Sequence, residues 1–268
     1  MPPFHFLHLT DPHLPPPGST VFGLDTAPRL AAAIADIAGR HGPGSAAPAG
    51  FAVVTGDLAR DGEPAAYARL REMLAGLPCP AHLLLGNHDS RAAFCAAFPE
   101  APVDPHGFVQ AALPSPAGLC LLLDTHEPDR PEGRLCPLRL GWLSERLAEE
   151  GTAAAAAPVL LFLHHPPLPV GIPAMDAIGL ADSEALWEVL APHRARIRHL
   201  FHGHLHRPIA GSWRGIPLSS LRGTGFEVAL DFAPGRVEAG EGGPPCYSLV
   251  SVQGDDLVVH TRDLPPAP

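Results

Sequence analysis

Five short apolar runs, each ending abruptly in histidine, aspartate or asparagine, constrain this chain more than any other feature. Phe4–Thr10 stops at Asp11-Pro12-His13, and Phe51–Thr55 at Gly56-Asp57. His82–Leu85 stops at Gly86-Asn87-His88-Asp89, Val159–Leu163 at His164-His165-Pro166-Pro167, and Ile197–Phe201 at His202-Gly203-His204-Leu205-His206. A continuous apolar run bounded by turn residues reads as a strand buried on both faces. In open α/β sheets, functional groups collect beyond the carboxyl ends of such strands. One polar strand end means little, because a lone histidine there is more often structural and a lone Gly-Asp carries almost no signal. Five together, in a chain with only 16 histidines, point to a site.

The segments between these runs have helical period. Leu30, Ile34 and Ile37 place a helix over about 29–40, and Tyr67, Leu70, Met73, Leu74 and Leu77 another over 63–77. Shorter helices are expected at about 91–98, 138–150 and 183–190, the last with Ser183 as N-cap. Phe108–Leu113 and Leu119–Leu123 read as a strand pair around Pro-Ser-Pro-Ala-Gly. Ala153–Ala157 reads as a loop or helix end. From residue 207 the pattern changes: Ile209–Trp213, Ile216–Leu221, Phe226–Phe232, Tyr247–Gln253 and Asp256–Thr261 are strand candidates without helices between them. Two β layers flanked by helices suit this order better than one doubly wound sheet. With no polar linker and no fixed-period repeat, residues 1–268 read as one domain with a β-rich part at about 207–268.

The net charge of −10 argues against a nucleic-acid polymer as partner, but not against a small phosphate ester, since bound metals can make one pocket positive. Five scattered cysteines without a CxxC pair read as free thiols of a reducing compartment, and a cytoplasmic location is expected. No apolar stretch is long enough for a membrane span.

Aspartate, asparagine and histidine offer oxygen and nitrogen donors without thiolate, which suits Mn, Fe, Zn or Co. Asp11 and His13, and again His204 and His206, stand at i and i+2, which on an extended chain aims both side chains to one side. Asp57 could bridge two cations through its two oxygens, with Gly56 letting the backbone come close. Asn87 offers an amide oxygen, and His164 ends its own strand.

In this order, Asp11-x-His13, Gly56-Asp57, Gly86-Asn87-His88-Asp89, His164 and Gly203-His204-x-His206 resemble the calcineurin-like metallophosphoesterase superfamily. Asp61-Gly62-Glu63, Ala66-Tyr67, Leu123-Asp124-Thr125, Gly141-Trp142-Leu143 and His164-His165-Pro166-Pro167-Leu168-Pro169 are similar to its bacterial class III cyclic-nucleotide phosphodiesterases and their glycerophosphodiesterase relatives. Gly171, Met175-Asp176 and Ile178 lean toward the latter. The resemblance covers about residues 4–225. It implies a four-layer α/β/β/α sandwich of two mixed sheets and two divalent ions per chain. One ion would be held by Asp11, His13, Asp57 and His206, the other by Asp57, Asn87, His164 and His204. His88 would face substrate as the catalytic residue. The implied reaction is hydrolysis of a small phosphodiester, a glycerophosphodiester or a 3',5'-cyclic nucleotide, by a hydroxide bridging the ions. A homo-oligomer, dimer or larger, is also implied.

Other readings use the same residues. A phosphomonoesterase or broad-specificity phosphoesterase needs only different walls, a mononuclear hydrolase only part of the set, and a protein-binding scaffold none of the chemistry. Asp89 orients His88 or caps the next helix; His165 and His202 are candidates to support the ligands; His126 and Arg222 are ordinary loop residues or substrate contacts. Phe22 walls the pocket or packs. His5, His8, His41, His82, His106, His193, His199 and His260 take structural readings.

Overall fold

In the computed structural model, which describes residues 2–149, 157–235, 237 and 243–265, the chain alternates strand and helix and then closes with β structure. The elements are β1 (Phe4–Leu9), α1 (Ala27–His41), β2 (Ala49–Thr55), α2 (Pro64–Leu74), β3 (Ala81–Leu84), α3 (Arg91–Ala97), β4 (Ala111–Ser115) and β5 (Gly118–Leu122). There follow α4 (Pro137–Glu149), β6 (Val159–Leu163), α5 (Pro173–Asp176), α6 (Ser183–Leu190), a 3-10 turn at Ala191–Arg196, β7 (Ile197–His202), β8 (Ile209–Trp213), β9 (Ile216–Ser220), β10 (Cys246–Gln253) and β11 (Asp256–Asp263). The alanines at 153–156 lie outside the described residues.

The strands form a five-stranded sheet, β11-β10-β1-β2-β3, and a six-stranded sheet, β4-β5-β6-β7-β9-β8. Both are mixed: β1 runs parallel to β2 and antiparallel to β10, and β7 runs parallel to β6 and β9 while β8 is antiparallel to β9. The period of two along β1 explains the layering. Phe6 faces the second sheet, in a core with Phe51, Val53, Leu160, Phe162 and Phe201, whereas Leu7 and Leu9 face α1–α3 with Ile34, Ile37, Tyr67 and Leu70. On the far side, Leu161, Leu163 and Leu200 pack against Leu143, Leu147, Leu186 and Leu190 of α4 and α6. The result is the expected α/β/β/α order. The β-rich tail does not form a unit of its own, because β8–β9 extend the second sheet and β10–β11 the first.

Three local expectations are corrected. Phe226–Phe232 is not a strand; it runs as irregular chain, with Val228 in no named element. The first strand of the pair at 108–123 begins at Ala111, because the Asp104 carboxylate binds the backbone N–H groups of His106 and Phe108 (2.9 Å each) and holds that stretch in a turn. The N-cap position of α6 belongs to Asp182 rather than Ser183, and the Asp182 carboxylate instead accepts the Leu135 N–H at 2.8 Å.

Histidines are also buried in the β structure. The His8 ring packs edge-on against Phe201, with centroids 5.3 Å apart, and His199 lies 4.3 Å from Phe201. Burial lowers the pKa of His8 to about 3 and that of His199 and His202 to about 4. An unfolded histidine takes a proton near pH 6.5, so below that pH the unfolded chain binds more protons and stability falls with acid, by up to about 1.4 kcal/mol per pH unit for each such residue. His199→Gln should therefore flatten the loss of urea midpoint between pH 6.5 and 4, and an unaltered slope would mean that His199 is not held neutral.

Candidate metal centre

The carboxyl ends of β1, β2, β3, β6 and β7 converge, and each delivers donors to one place. Among the described residues, Asp11, His13, Asp57 and His206 form one group of candidate ligand atoms, all within 4.8 Å of one another. His164 and His204, with His165, form a second. The seven ligands expected from the sequence are brought together. His13 Nε2 lies 3.0 Å from His206 Nε2 and 3.2 Å from Asp57 Oδ2, and His206 Nε2 lies 3.3 Å from Asp11 Oδ1. His164 Nε2 lies 3.3 Å from Asn87 Oδ1, 3.3 Å from His204 Nδ1 and 3.4 Å from Asp57 Oδ2. One oxygen of Asp57 thus stands between the two groups.

The proton inventory shows what these atoms lack. His164 Nδ1 donates to the Thr55 carbonyl at 2.7 Å, and His206 Nδ1 to the Phe226 carbonyl at 3.0 Å. A carbonyl only accepts, so in each neutral ring Nε2 is a bare lone pair facing carboxylate and other acceptor atoms. Such a constellation needs a cation at its centre or protons on the rings. Burial alone would lower the His164 pKa, yet the Asp57 and Asp11 carboxylates raise it to about 9, and Asp11 likewise raises that of His206 against its burial. Burial would raise both carboxyls, but His206 and His164 hold Asp11 low, and His164 and His13 hold Asp57 well below the usual carboxylate range. Oxygen and imidazole donors with one shared carboxylate fit a pair of divalent ions.

The i, i+2 spacing does not work as expected. Asp11, His13, Asp57, His204 and His206 have φ of 50°, 42°, 49°, 70° and 48°, so the chain is not extended there. Left-handed backbone at residues other than glycine costs roughly 1–3 kcal/mol each and persists only when surroundings impose it. Those surroundings are visible. Asp11 N–H donates to the Gly56 carbonyl at 3.2 Å and His13 N–H to that of Asp57 at 2.9 Å, so the two loops continue the β1–β2 ladder past the strands. The Asp11 carboxylate accepts the His204 N–H at 3.1 Å, and Thr26 at the start of α1 donates to the His13 carbonyl at 3.0 Å. A Cβ at Gly86 would overlap the Asp57 carboxylate, and one at Gly203 the Thr10 hydroxyl, which is why these motifs carry glycine.

Asp89 neither orients His88 nor caps α3. Ser90 caps α3, accepting the Ala93 N–H at 3.4 Å. The Asp89 carboxylate accepts N–H groups of Leu58 (3.1 Å), Ala59 (3.1 Å) and Gly86 (2.9 Å) and the Tyr67 hydroxyl (2.9 Å). It ties the Asp57 loop to the Asn87 loop, and burial followed by the nearby Asp57 raises its pKa to about 6. His165 is fully used: Nε2 donates to the Pro131 carbonyl (3.2 Å), leaving Nδ1 to accept the Thr125 hydroxyl (2.8 Å), with its ring against His164 and His204. His202 is buried, with Nδ1 on the Gly203 carbonyl at 3.1 Å. Arg222 is paired with Glu227 (3.3 Å) and Asp263 (2.7 Å).

His8, Thr10 and Thr55 were missed. Thr10 donates to Asp11 Oδ2 at 2.6 Å, Thr55 donates to Thr10 at 2.8 Å, and Thr55 has then only a lone pair for His8 Nε2–H at 2.9 Å. This buried relay points every donor toward one candidate ligand. The alternation of β1 puts His8 on the Phe6 face, which was the available signal.

His88 stands outside the ligand cluster. Its backbone N–H binds Asp57 Oδ1 at 3.0 Å, and its Nδ1–H donates to the Arg60 carbonyl at 2.9 Å, leaving Nε2 free. It borders a cavity of about 400 Å3 whose walls include Phe22, Met175, Ile178, Phe226 and Val228 beside His13, Asp57 and His204. Phe22 is 75% exposed, with its ring edge-on to Phe226 at 5.0 Å.

A two-sheet sandwich with this site is the arrangement of a dinuclear metallohydrolase. The chain belongs to the calcineurin-like phosphoesterase family, whose profile matches residues 4–208. It is 46% identical over 257 residues, covering 95% of this chain and 90% of the relative, to a probable cyclic nucleotide phosphodiesterase of Rhodopseudomonas palustris. It is 29% identical over 180 residues, covering 66% and 63%, to the glycerophosphodiester phosphodiesterase GpdQ of Enterobacter lignolyticus. The fold is similar to that of the purple acid phosphatase PPD1 from yellow lupin seeds, at a TM-score of 0.63 and 12% identity over 97% of this chain and 51% of that one.

Thr10→Val should weaken binding of Mn or Co to metal-stripped protein by about 10–100-fold. Titration calorimetry reads this directly, and unchanged affinity with an intact fold would remove the relay from the account.

Proposed function

We propose that the chain is a metal-dependent hydrolase of small phosphodiesters. The observation that carries this reading is the single Asp57 oxygen standing 3.2 Å from His13 Nε2 and 3.4 Å from His164 Nε2, a bridging position between two nitrogen-rich halves. Asp11, His13, Asp57 and His206 would hold one ion, and Asp57, Asn87, His164 and His204 the other. Two divalent ions held there would acidify a water and share the charge building on the phosphoryl oxygens. Mn, Fe, Zn and Co suit the donors, which include no thiolate.

The remaining work falls to the chain. The His88 ring lies 4.8 Å from that of His13, centroid to centroid, so a phosphorus bound at the cluster would come within reach of His88. Its Nδ1–H is held by the Arg60 carbonyl, with Asp61 Oδ1 3.9 Å from the same nitrogen, so Nε2 would be the atom to deliver a proton to a departing ester oxygen. Proton delivery of this kind contributes about 10²–10⁴-fold. The apolar wall of Phe22, Phe226, Met175 and Ile178 excludes water from one side and suits an apolar or ring-bearing ester arm. Names of relatives support cyclic nucleotides and glycerophosphodiesters as the diesters to consider.

The net charge of −10 supports a small substrate over a nucleic-acid polymer. Five free cysteines support the cytoplasm. Among the described residues no helix is long and apolar enough to cross a membrane. The exposed β11, at the edge of the first sheet with Val258 48% exposed, supports pairing with a second copy.

Metal-loaded protein given cyclic AMP, glycerophosphoethanolamine and a phosphomonoester in parallel should cleave a diester faster than the monoester. Preference for the monoester would replace this reading with a phosphomonoesterase. His88→Ala should lower kcat on the preferred diester by about 10²–10⁴-fold with metal content intact; loss of metal in that variant would make His88 part of the ligand shell instead.

A further inference from the structure

The first sheet ends at β3 and the second at β4, and a cavity of about 320 Å3 lies between these two edges. Ala81, His82 and Leu83 of β3 border it. In the parallel ladder, Ala52 N–H donates to the Pro80 carbonyl at 2.8 Å, and Ala52 and Val54 stand opposite Ala81 and Leu83. The bonds from β2 therefore reach Pro80, His82 and Leu84, and the N–H and C=O groups of Ala81 and Leu83 point away from β2, toward the cavity. Among the described residues these four groups have no partner.

The walls suit a chain added at that edge. Leu83, Phe98, Ala101 and Val109 pack together on the helix side, and Ala111 and Leu113 belong to the inter-sheet core on the other. Successive side chains of an extended segment point to opposite faces, so a guest would meet an apolar wall with each set. The facing edge, β4, carries Pro114, which has no N–H to give, whereas β3 carries no proline. The edge of β3 is recessed between the stretch that includes Phe98 and Pro102 and the stretch that includes Val109 and Leu113. That recess excludes the edge of another sheet, whose neighbouring strands come with it, and admits a single extended chain. Exposed Glu100 borders the opening and the chain carries a net charge of −10, so basic residues suit the ends of the guest.

We propose that the free edge of β3 is a docking site for an extended peptide segment, three apolar residues between basic ones, which adds as a strand to the first sheet. Three residues span roughly 10 Å at 3.3 Å per residue, the reach of Ala81 to Leu83. The main chain of the guest supplies the hydrogen bonds, and the two apolar walls select its side chains. The site is separate from the metal centre: Asn87 and His88 follow β3 in the chain, but none of the seven candidate ligands borders this cavity.

The probe is the peptide acetyl-Arg-Val-Leu-Val-Arg-amide, titrated into the full chain by calorimetry. Wild type should bind it with a Kd below about 1 mM. N-methylation at the leucine, or at both valines, removes N–H groups from one edge of the guest or from the other. One of the two methylated peptides should therefore lose about fivefold or more in affinity while the other keeps it. A peptide with glutamate at both ends should bind less tightly than the parent. Ala101→Trp fills the cavity and should abolish binding, with the circular dichroism of wild type retained; the methylated peptides decide the question without any change to the protein. No binding of the parent peptide, or equal affinity of the two methylated peptides, would overturn the docking site. So would a wild-type dimer in sedimentation that Ala101→Trp dissociates, because the groove would then belong to a second copy.

Discussion

Two carboxylates, Asp11 and Asp57, lie buried at the ends of neighbouring strands and face imidazole lone pairs rather than donors. Everything else around the site follows from that arrangement. An isolated ion in the interior costs several kcal/mol, and a buried pair is tolerated only with good geometry and satisfied hydrogen bonds. Here the backbone N–H groups of His204 and His88 and the Thr10 hydroxyl satisfy the outer lone pairs of the two carboxylates. The inner lone pairs are left for a positive charge. Protons on His164 and His206 can supply it in the metal-free chain. A divalent ion supplies it better and must displace those protons, so metal uptake and proton release are linked.

Holding such a cluster open takes scaffolding well beyond the ligands. The two sheets pack through Phe6, Phe51, Phe162 and Phe201, which fixes the first three strand ends against the last two. Five left-handed residues carry the donors inward, and the interloop hydrogen bonds from Asp11 and His13 impose that backbone. Asp89 binds two of the loops from behind, and Tyr67 of α2 anchors Asp89. His8, Thr55 and Thr10 then fix the rotamer of Asp11 from the inter-sheet side. The same framework leaves His88 bordering the cavity beside Phe22 and Phe226.

Much of this was legible in the sequence because its signals are local. An apolar run that ends in a metal-capable side chain names both the strand and its polar end, so the five strand ends were found, and the seven side chains read there as donors converge in the fold. What was not legible depends on pairs distant in sequence. The extended-chain explanation for Asp11-x-His13 failed because the Asp57 loop, not the local residues, sets the backbone there. Asp89 looked like a helix cap because its true partners, at 58, 59, 67 and 86, share no spacing rule with it. Phe226 and Val228 have the alternation of a strand, yet they wall a cavity in irregular chain. Arg91 and His126 meet only because α3 packs beside the end of β5, and Asp124 joins them.

The central claim is that one shared carboxylate organises two metal positions. It is tested most directly by metal content and affinity in wild type and Asp57→Ala, after stripping and reloading with Mn or Co. The account predicts two ions per wild-type chain and the weakening of both in the variant. A single ion in wild type, or a variant that loses one ion and retains the other at wild-type affinity, would contradict it.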